Sequence, residues 1–397
     1  MSAGERCAVV GIGQTHHRKR RDDVSIPGLL REAALRALED AEMTFADIDA
    51  LVIGKAPDAF EGIVQPELFL ADALGAAGKP MLRVHTAGSV GGSTFIVGAH
   101  LVQSRIHQRV LAVSWEKQSE GNAQWGLAGG RSRGIGAGGA FAPWIRAYIE
   151  RSGAPEYIGW QVAVKDRLNA LRNPRAHLHM PDITLEMVEE SFLLWDPLRY
   201  LDTCPSSDGA MAMVMGSEAV AAAAPNPVAW VHGMSMRSEP TMFARRDQVN
   251  PQAGRDCAAD VYAQAGIADP RAELDCAEVY VPFSWYEPMW LENLGFCALG
   301  DGWRLTESGA TAADGDIPWN PSGGVLSSNP IGASGMIRFG EAAQQVRGMA
   351  GGHQVELRSG RALGHAYGGG SQFFSRSIQK GSKTPWSNPA PPTITSW

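Results

Sequence analysis

The sequence is poor in cysteine, the residue that cross-links small proteins through disulfides and binds structural zinc. Among 397 residues there are five cysteines, scattered along the chain, and none forms a Cys-x-x-Cys pair. An odd and dispersed set argues against a disulfide framework and against a structural zinc site. The N-terminus has no apolar signal core, and no apolar run reaches about 18 residues, the length of a membrane span. We therefore expect a soluble, cytoplasmic protein without a membrane span or a bound metal.

An excess of positive charge is also absent. Lys and Arg total 35 against 42 Asp and Glu, for a net charge of −7, which argues against nucleic acid as a partner. Hydrophobic residues make up 44% and charged residues 19% of the chain, as is ordinary for a globular protein with a large core. One basic run, residues 16–21, is either a solvated loop or a contact for a phosphorylated ligand such as coenzyme A.

The strongest local pattern is a glycine-rich turn that leads into an apolar helix. Residues 83–94 read RVHTAGSVGGST, and apolar periodicity predicts a helix over residues 95–103. Small residues let another group approach the backbone closely, and a helix start offers free N–H groups and positive potential. We therefore predict a substrate-binding turn formed by Gly88, Ser89, Gly91 and Gly92.

The second half of the chain repeats the pattern of the first. Both halves show an apolar strand, a helix, an acid followed by a second strand, and a small-residue turn before a further helix: residues 7–13, 27–41, 47–54 and 83–103 in one, and 227–233, 252–266, 273–280 and 327–349 in the other. Such a repeat predicts two similar α/β units with covered parallel strands. Gly11-x-Gly13 is a weak dinucleotide signal, because no third glycine follows at the required spacing.

The repeat also predicts how the chain is divided. We expect an N-terminal half (1–115 plus 203–222), an inserted loop subdomain without a counterpart (116–202), a C-terminal half (223–380) and a tail (381–397). An insertion of this length can cover a site or carry an interface.

Several motifs in combination resemble the thiolase superfamily, in its sterol-carrier-protein-X-like or lipid-transfer-protein branch. They are NPRA at 173–176, DTCPSSDGA at 202–210, DCAEVY at 275–280, LENLGF at 291–296, NPSGG at 320–324 and GGG at 368–370. The resemblance extends over nearly the whole chain. It implies the thiolase fold, an α/β architecture in which two βαβ-type halves form five αβαβα layers.

The departures from this family concern its reactive residues. Where the family has its nucleophilic cysteine, this chain has Gly88, or Ser89 if the alignment slips by one. The family's catalytic histidine falls at Asn329, the asparagine of a further motif at Tyr280, and the second cysteine at Ala366. The resemblance therefore implies a cysteine-less, aldolase-type member. Such members cleave β-hydroxyacyl-CoA thioesters of steroid side chains and work with a small partner that carries an OB-fold and a zinc ribbon.

Retro-aldol cleavage needs a base for the β-hydroxyl group, an oxyanion hole for the thioester enolate and a proton donor. We assign the proton transfers to Tyr280, Tyr367 or His365. Asn329, His85 and backbone N–H groups would then hold the thioester oxygen. Ionising a free tyrosine at pH 7 costs about 4 kcal/mol, so we expect His365 to lower a tyrosine pKa or to be the base itself. Each of these residues could instead only pack or close a turn.

Further residues complete the predicted substrate site. Gly368 and Gly369 would contribute N–H groups, and Trp285 and Tyr286 would form a wall for a bulky acyl group. No cofactor is implied apart from coenzyme A as part of the substrate. We interpret Cys204, by contrast, as part of a structural turn.

Two other functions stay open. The chain could be an acyltransferase or thiolase that uses Ser89 as its nucleophile, or a non-catalytic scaffold that binds acyl-CoA or lipid. In every case we expect a homodimer, with the helix at 95–103 and the strand at 109–115 as interface elements.

Overall fold

The computed structural model describes residues 5–58, 62–121, 136–239, 246–368 and 371–377. Its strands are β1 (Ala8–Gln14), β2 (Ala50–Lys55), β3 (Met81–Val84), β4 (Arg109–Lys117), β5 (Leu193–Trp195), β6 (Leu198–Arg199), β7 (Asp208–Gly216), β8 (Ala229–Ser238), β9 (Cys276–Glu278), β10 (Ala362–Gly368) and β11 (Ser371–Ser377). Its helices are α1 (Ile26–Asp40), α2 (Pro66–Leu70), α3 (Val90–Gln103), α4 (Gly136–Ser152), α5 (Tyr157–Ala170), α6 (Leu185–Glu189), α7 (Glu218–Ala222), α8 (Gln252–Ala265), α9 (Pro270–Glu273), α10 (Tyr286–Asn293), α11 (Gly302–Glu307), α12 (Gly324–Ser327) and α13 (Ile331–Arg347).

The strands β1 to β4 and β7 to β11 form one nine-stranded sheet in the order β3-β2-β4-β7-β1-β8-β11-β10-β9. Among the described strands, its N-terminal half is joined to its C-terminal half where β1 meets β8, through Ala8 opposite Trp230 and Val9 opposite Ala229. Because this ladder is so short, the two halves can curl apart and accept helices between them.

Two buried helices fill the space between the halves of the sheet. Helices α3 and α13 pack on each other, α3 also on β2 and β4 and α13 on β9 and β10. Helix α1 covers the outer face at β1 and β7, and α8 covers the outer face at β8 and β11. A helix that is buried on nearly all sides, as α13 is, belongs in such a central layer. The predicted five-layer αβαβα order is therefore confirmed.

Two boundaries and one interface assignment differ from the sequence-based prediction. Helix α3 begins at Val90 rather than at residue 95, so Gly91 and Gly92 lie in its first turn. Strand β9 ends at Glu278, so Tyr280 lies beyond the sheet ladder. The strand expected at a dimer interface is β4, which lies between β2 and β7 and has no free edge. The interface prediction is therefore wrong for β4, because the sheet ends at β3 and β9, and it stays a prediction for α3, most of which is buried.

The segment between β4 and β7 carries α4, α5, α6 and the small β5–β6 sheet. It is tied to the C-terminal half through a buried cation, because Lys165 of α5 donates at 2.6 Å to Glu287 and at 2.8 Å to the carbonyl of Trp319. Within the described residues, no helix is both long and apolar enough to cross a membrane. The predicted tail, residues 381–397, lies outside the described part of the chain.

The basic run at residues 16–21 is partly neutralised by acids nearby. Arg20 pairs with Asp22 at 3.1 Å, and the guanidinium of Arg21 pairs with Asp23 and Glu32, both at 2.8 Å. The solvated-loop interpretation fits Arg20, whose side chain is 61% exposed, whereas the Arg21 side chain is buried at 8% exposure.

Candidate functional site

The glycine-rich turn meets α13 and β10 at a very close approach. A Cβ atom on Gly91 would lie 2.6 Å from the backbone nitrogen of Met336. A Cβ atom on Gly335 would lie 2.8 Å from the nitrogen of Gly92 and 2.7 Å from the Cβ of Ala366. The absence of side chains at these positions brings the start of α3 against the strand that carries His365, Ala366 and Tyr367.

Tyr280 is positioned by side chains because it lies beyond the ladder of β9. The N–H of Val279 donates to Asn320 Oδ1 at 2.7 Å, and the N–H of Tyr280 donates to His365 Nδ1 at 3.4 Å. Trp290 Nε1 donates to the carbonyl of Tyr280 at 2.9 Å. The backbone on both sides of Tyr280 is therefore fixed by residues from three other segments.

The Tyr280 side chain is 5% exposed, and no described residue forms a hydrogen bond with its hydroxyl group. Burial raises the pKa of Tyr280 well above its usual value, and a nearby negative charge on Cys204 would raise this pKa further. The hydroxyl group is therefore protonated at neutral pH.

His365 is fully buried and accepts a hydrogen bond at Nδ1, so the neutral ring carries its proton on Nε2. Burial lowers the pKa of His365 to about 3. The prediction that His365 would supply a positive charge to a tyrosine is wrong, because desolvation keeps the ring neutral at pH 7.

Tyr367 lies in a cluster of aromatic rings. Its ring centroid is 5.0 Å from Trp290, 6.0 Å from Tyr286 and 6.4 Å from Phe141. Burial raises the pKa of Tyr367 to about 12, although the guanidinium of Arg246 opposes that shift. Tyr367 is therefore also a neutral phenol at pH 7, with one cation beside it.

The Asn329 side chain has a fixed orientation. Its Oδ1 accepts from Ser334 Oγ at 2.7 Å, and its Nδ2 donates to Cys204 Sγ at 3.1 Å. Its backbone N–H donates to Ser207 Oγ at 3.1 Å, and Ser207 Oγ lies 2.8 Å from His177 Nδ1. An amide nitrogen has two hydrogens, and among the described residues only Cys204 accepts from this one. The second hydrogen is therefore available for a ligand oxygen.

Cys204 is a site residue that the sequence-based interpretation assigned only to a structural turn. Its N–H donates to the carbonyl of Pro282 at 3.0 Å, and Thr203 forms a β-bridge with Phe283. These contacts place the half-buried thiol beside Asn329 and in the neighbourhood of Tyr280. Burial raises the pKa of Cys204 to about 11, so it is a thiol rather than a thiolate at pH 7.

The sequence-based interpretation also did not identify a buried ion pair next to Tyr367. The side chains of Arg246 and Glu239 are 3% and 6% exposed and form a salt bridge. No sequence pattern marks these residues, whereas Cys204 lies within a quoted motif and could have been considered.

The other predicted residues are placed as follows. Tyr286 joins the aromatic cluster, whereas Trp285 packs against Gly159 and, at 6.3 Å between ring centroids, against Tyr148. His85 is exposed just beyond β3 and has no hydrogen bond within the described residues. Gly88 lies in the turn that precedes α3, and Gly368 is the last residue of β10. Gly369 lies outside the described residues.

Ser89 does not have the surroundings of an activated nucleophile. It is buried, and its Oγ donates to the carbonyl of Thr86 at 2.7 Å. Activation of a serine requires an adjacent base that accepts this same proton. The hydroxyl group is instead used to close the turn.

Comparisons with known proteins identify relatives along the chain. The family described as thiolase C-terminal domain-like matches residues 235–378. An acetyl-CoA acetyltransferase of Methanothermobacter thermautotrophicus is 32% identical, over 88% of this chain and 93% of the relative. A steroid side-chain-cleaving aldolase of Thermomonospora curvata is 30% identical, over 86% of this chain and 90% of the relative.

Solved structures agree with these relatives. The structure described as Ltp2-ChsH2(DUF35) aldolase matches with a TM-score of 0.82 at 27% identity, covering 94% of this chain and 98% of the other. Human mitochondrial 3-ketoacyl-CoA thiolase in complex with CoA matches with a TM-score of 0.71 at 14% identity, covering 95% of this chain and 98% of the other. The second similarity is one of fold alone.

Proposed function

The chain belongs to the thiolase superfamily, and we propose that it is a carbon–carbon lyase that cleaves β-hydroxyacyl-CoA thioesters by a retro-aldol reaction. The products would be a carbonyl compound and a shorter acyl-CoA. One observation carries the proposal. The strand that carries Tyr367 contacts the turn that holds Gly88, and Asn329 contacts Cys204, which pairs with the segment after Tyr280, while the resemblance puts Gly88, Ala366 and Asn329 at the family's positions for its two cysteines and its histidine. The two relatives described as aldolases support this reaction type.

The reaction requires no covalent intermediate on the protein. The fixed Nδ2 group of Asn329 would donate to the thioester oxygen and stabilise the enolate character that develops on it as the Cα–Cβ bond breaks. The hydroxyl groups of Tyr280 and Tyr367 would take part in the proton transfers. Both are buried beside apolar rings, where a hydrogen bond to the substrate is stronger than in water.

For the acyl group we propose a bulky or branched chain, of which a steroid side chain is one example. The rings of Phe141, Tyr286 and Trp290 pack around Tyr367, and of the three only Phe141 is partly exposed. Aromatic side chains bury large areas against an apolar ligand and favour such groups. The relative from Thermomonospora curvata, described as cleaving steroid side chains, is consistent with this substrate class.

We further propose a homodimer and a small partner protein with an OB-fold and a zinc ribbon. Within the part of the chain that the structure describes, strand β3 is an edge of the sheet, and Leu82 on it is 43% exposed. Leu68 and Phe69 of α2 are 75% and 41% exposed next to this edge. An exposed edge with apolar neighbours favours pairing with a second copy. The partner proposal rests on the solved aldolase that is described with a DUF35 component.

The first test is a cleavage assay on a branched β-hydroxyacyl-CoA, such as a steroid side-chain thioester. The full chain is co-expressed with its OB-fold partner, and the carbonyl product and the short acyl-CoA are detected by mass. We expect cleavage that falls by about 10²- to 10⁴-fold in Tyr280→Phe or Tyr367→Phe, because each loses one proton-transfer group. Tyr157→Phe is the matched control, because this exposed tyrosine contacts Glu307 rather than the site.

The alternative functions give different results in the same assay. An acyltransferase that used Ser89 would lose its activity in Ser89→Ala, whereas the proposed lyase keeps it. Tight acyl-CoA binding without product from any such substrate would contradict the lyase proposal and favour a scaffold.

A further inference from the structure

The protonation states of the side chains in the site are unusual for a reaction that needs a base. Tyr280 and Tyr367 are neutral phenols, His365 is a neutral imidazole engaged at Nδ1, and Cys204 is a neutral thiol at pH 7. None of these groups is poised as an anionic base. The proton of the substrate's β-hydroxyl group therefore needs a route that leaves no charge behind.

The geometry around Cys204 provides such a route. The pairing of Cys204 with Pro282 and of Thr203 with Phe283 holds the thiol against the segment that follows Tyr280. The Tyr280 side chain is 95% enclosed, and within the described residues its hydroxyl group has no hydrogen-bond partner, so its capacity to donate and accept is unused. Asn329, the proposed donor to the thioester oxygen, lies 3.1 Å from Cys204 Sγ. A thioester bound to Asn329 would therefore have its Cα close to the thiol.

We propose that Tyr280 and Cys204 form a neutral relay that carries the substrate's β-hydroxyl proton to its Cα. This inference rests on the proposed lyase function and assigns a catalytic role to a cysteine that is not a nucleophile. It also accounts for the placement of a thiol between the amide of Asn329 and the segment of Tyr280.

The relay conserves atoms and charge. The β-hydroxyl O–H bond breaks as its proton joins the Tyr280 oxygen, and the phenol's own proton passes to the sulfur of Cys204. The original S–H proton passes to Cα as the Cα–Cβ bond breaks. The electron pair of the broken O–H bond forms the new carbonyl group, and the pair of the Cα–Cβ bond forms the new C–H bond. Tyr280 and Cys204 both end as they began, so no oxidant, reductant or other co-reactant is needed.

Substitution of the thiol tests the relay in the complex of the full chain with its partner. In Cys204→Ala we expect kcat to fall by about 10²- to 10⁴-fold with little change in KM, because the proton-transfer group is lost while Asn329 keeps its hydrogen bond from Ser334. Cys204→Ser should lie between this variant and the unmodified chain. The matched control is Cys297→Ala, since Cys297 is also half-buried but has no hydrogen bond to a site residue in the described structure.

A second readout separates proton transfer from a purely structural role. When the rate is measured in mixtures of H₂O and D₂O, two or more moving protons give a curved dependence on deuterium fraction. We expect a curve for the unmodified chain and a straight line for Cys204→Ala. Should that variant fold poorly, alkylation of the unmodified chain with iodoacetamide replaces it. Acyl-CoA should then protect Cys204 but not Cys297, as judged by peptide mass, and alkylation of Cys204 should abolish cleavage.

The failures of the two proposals are distinguishable. If the unmodified complex cleaves no β-hydroxyacyl-CoA, the lyase function is refuted and the relay with it. If it cleaves, but Cys204→Ala or the chain alkylated at Cys204 cleaves at the full rate, only the relay is refuted.

Discussion

The contact between α3 and α13 can be tested by adding a single methyl group at Gly91. In Gly91→Ala the new Cβ would lie 2.6 Å from the nitrogen of Met336 and 3.1 Å from the carbonyl oxygens of Ala333 and Gly332. All three are backbone atoms of α13, so the rotation of a side chain cannot relieve the contact. The two buried helices have to separate, and overpacking of this kind costs about 1–3 kcal/mol. We expect the free energy of unfolding to fall by about that amount.

The same helix supplies the control. In Gly98→Ala the nearest atoms are the sulfur of Met215 at 3.0 Å and the Cβ of Ala112 at 3.5 Å. The end of a methionine side chain moves easily, and alanine in mid-helix is favoured over glycine by about 1 kcal/mol. We therefore expect Gly98→Ala to be neutral or slightly stabilising.

Urea denaturation, followed by tryptophan fluorescence, measures both variants against the unmodified chain. The 12 tryptophans of the sequence make the signal strong. The cleavage rate should also fall in Gly91→Ala, because the turn at Gly88 precedes the displaced helix start. If Gly91→Ala is as stable as Gly98→Ala, the inferred close approach of the central helices is refuted.

Two further predictions concern pH and assembly. Burial lowers the pKa of His353, but the Glu341 carboxylate outweighs it and raises this pKa above its usual 6.5, so the stabilisation by the buried pair is complete just below pH 6.5 and is lost as the pH rises through the folded-state pKa. The difference in melting temperature between the unmodified chain and His353→Gln should thus shrink from mildly acidic to alkaline pH, and a constant difference would contradict the linkage. Leu82→Glu should convert a dimer to a monomer in light-scattering measurements, because it places like charges across the paired β3 edges. Ile106→Glu is the control and should leave the dimer intact, because this residue lies before β4 and is 69% exposed. A dimer that persists in Leu82→Glu would contradict pairing at β3.

Much of the architecture could be predicted from the sequence, because the pattern of neighbouring residues specifies each helix and strand. Periodic apolar residues predict α1 and α8 over nearly their full lengths, and short apolar runs predict β1 and β3. Repetition of the same order in the second half predicts the layers. The start of α3 was placed too late, because the glycines and serine in its first turn carry no helical signal.

The sequence by itself determined the two-halved α/β fold, because backbone periodicity is a property of neighbouring residues. It also predicts, from the positions of its motifs, that both reactive cysteines and the histidine of the family's pattern are replaced. Only the tertiary structure decided which strands have free edges and that His365 is neutral. It also decided that Cys204 contacts Asn329 across 125 positions of sequence. Burial, desolvation and long-range contacts depend on how distant segments pack, and no local pattern records them.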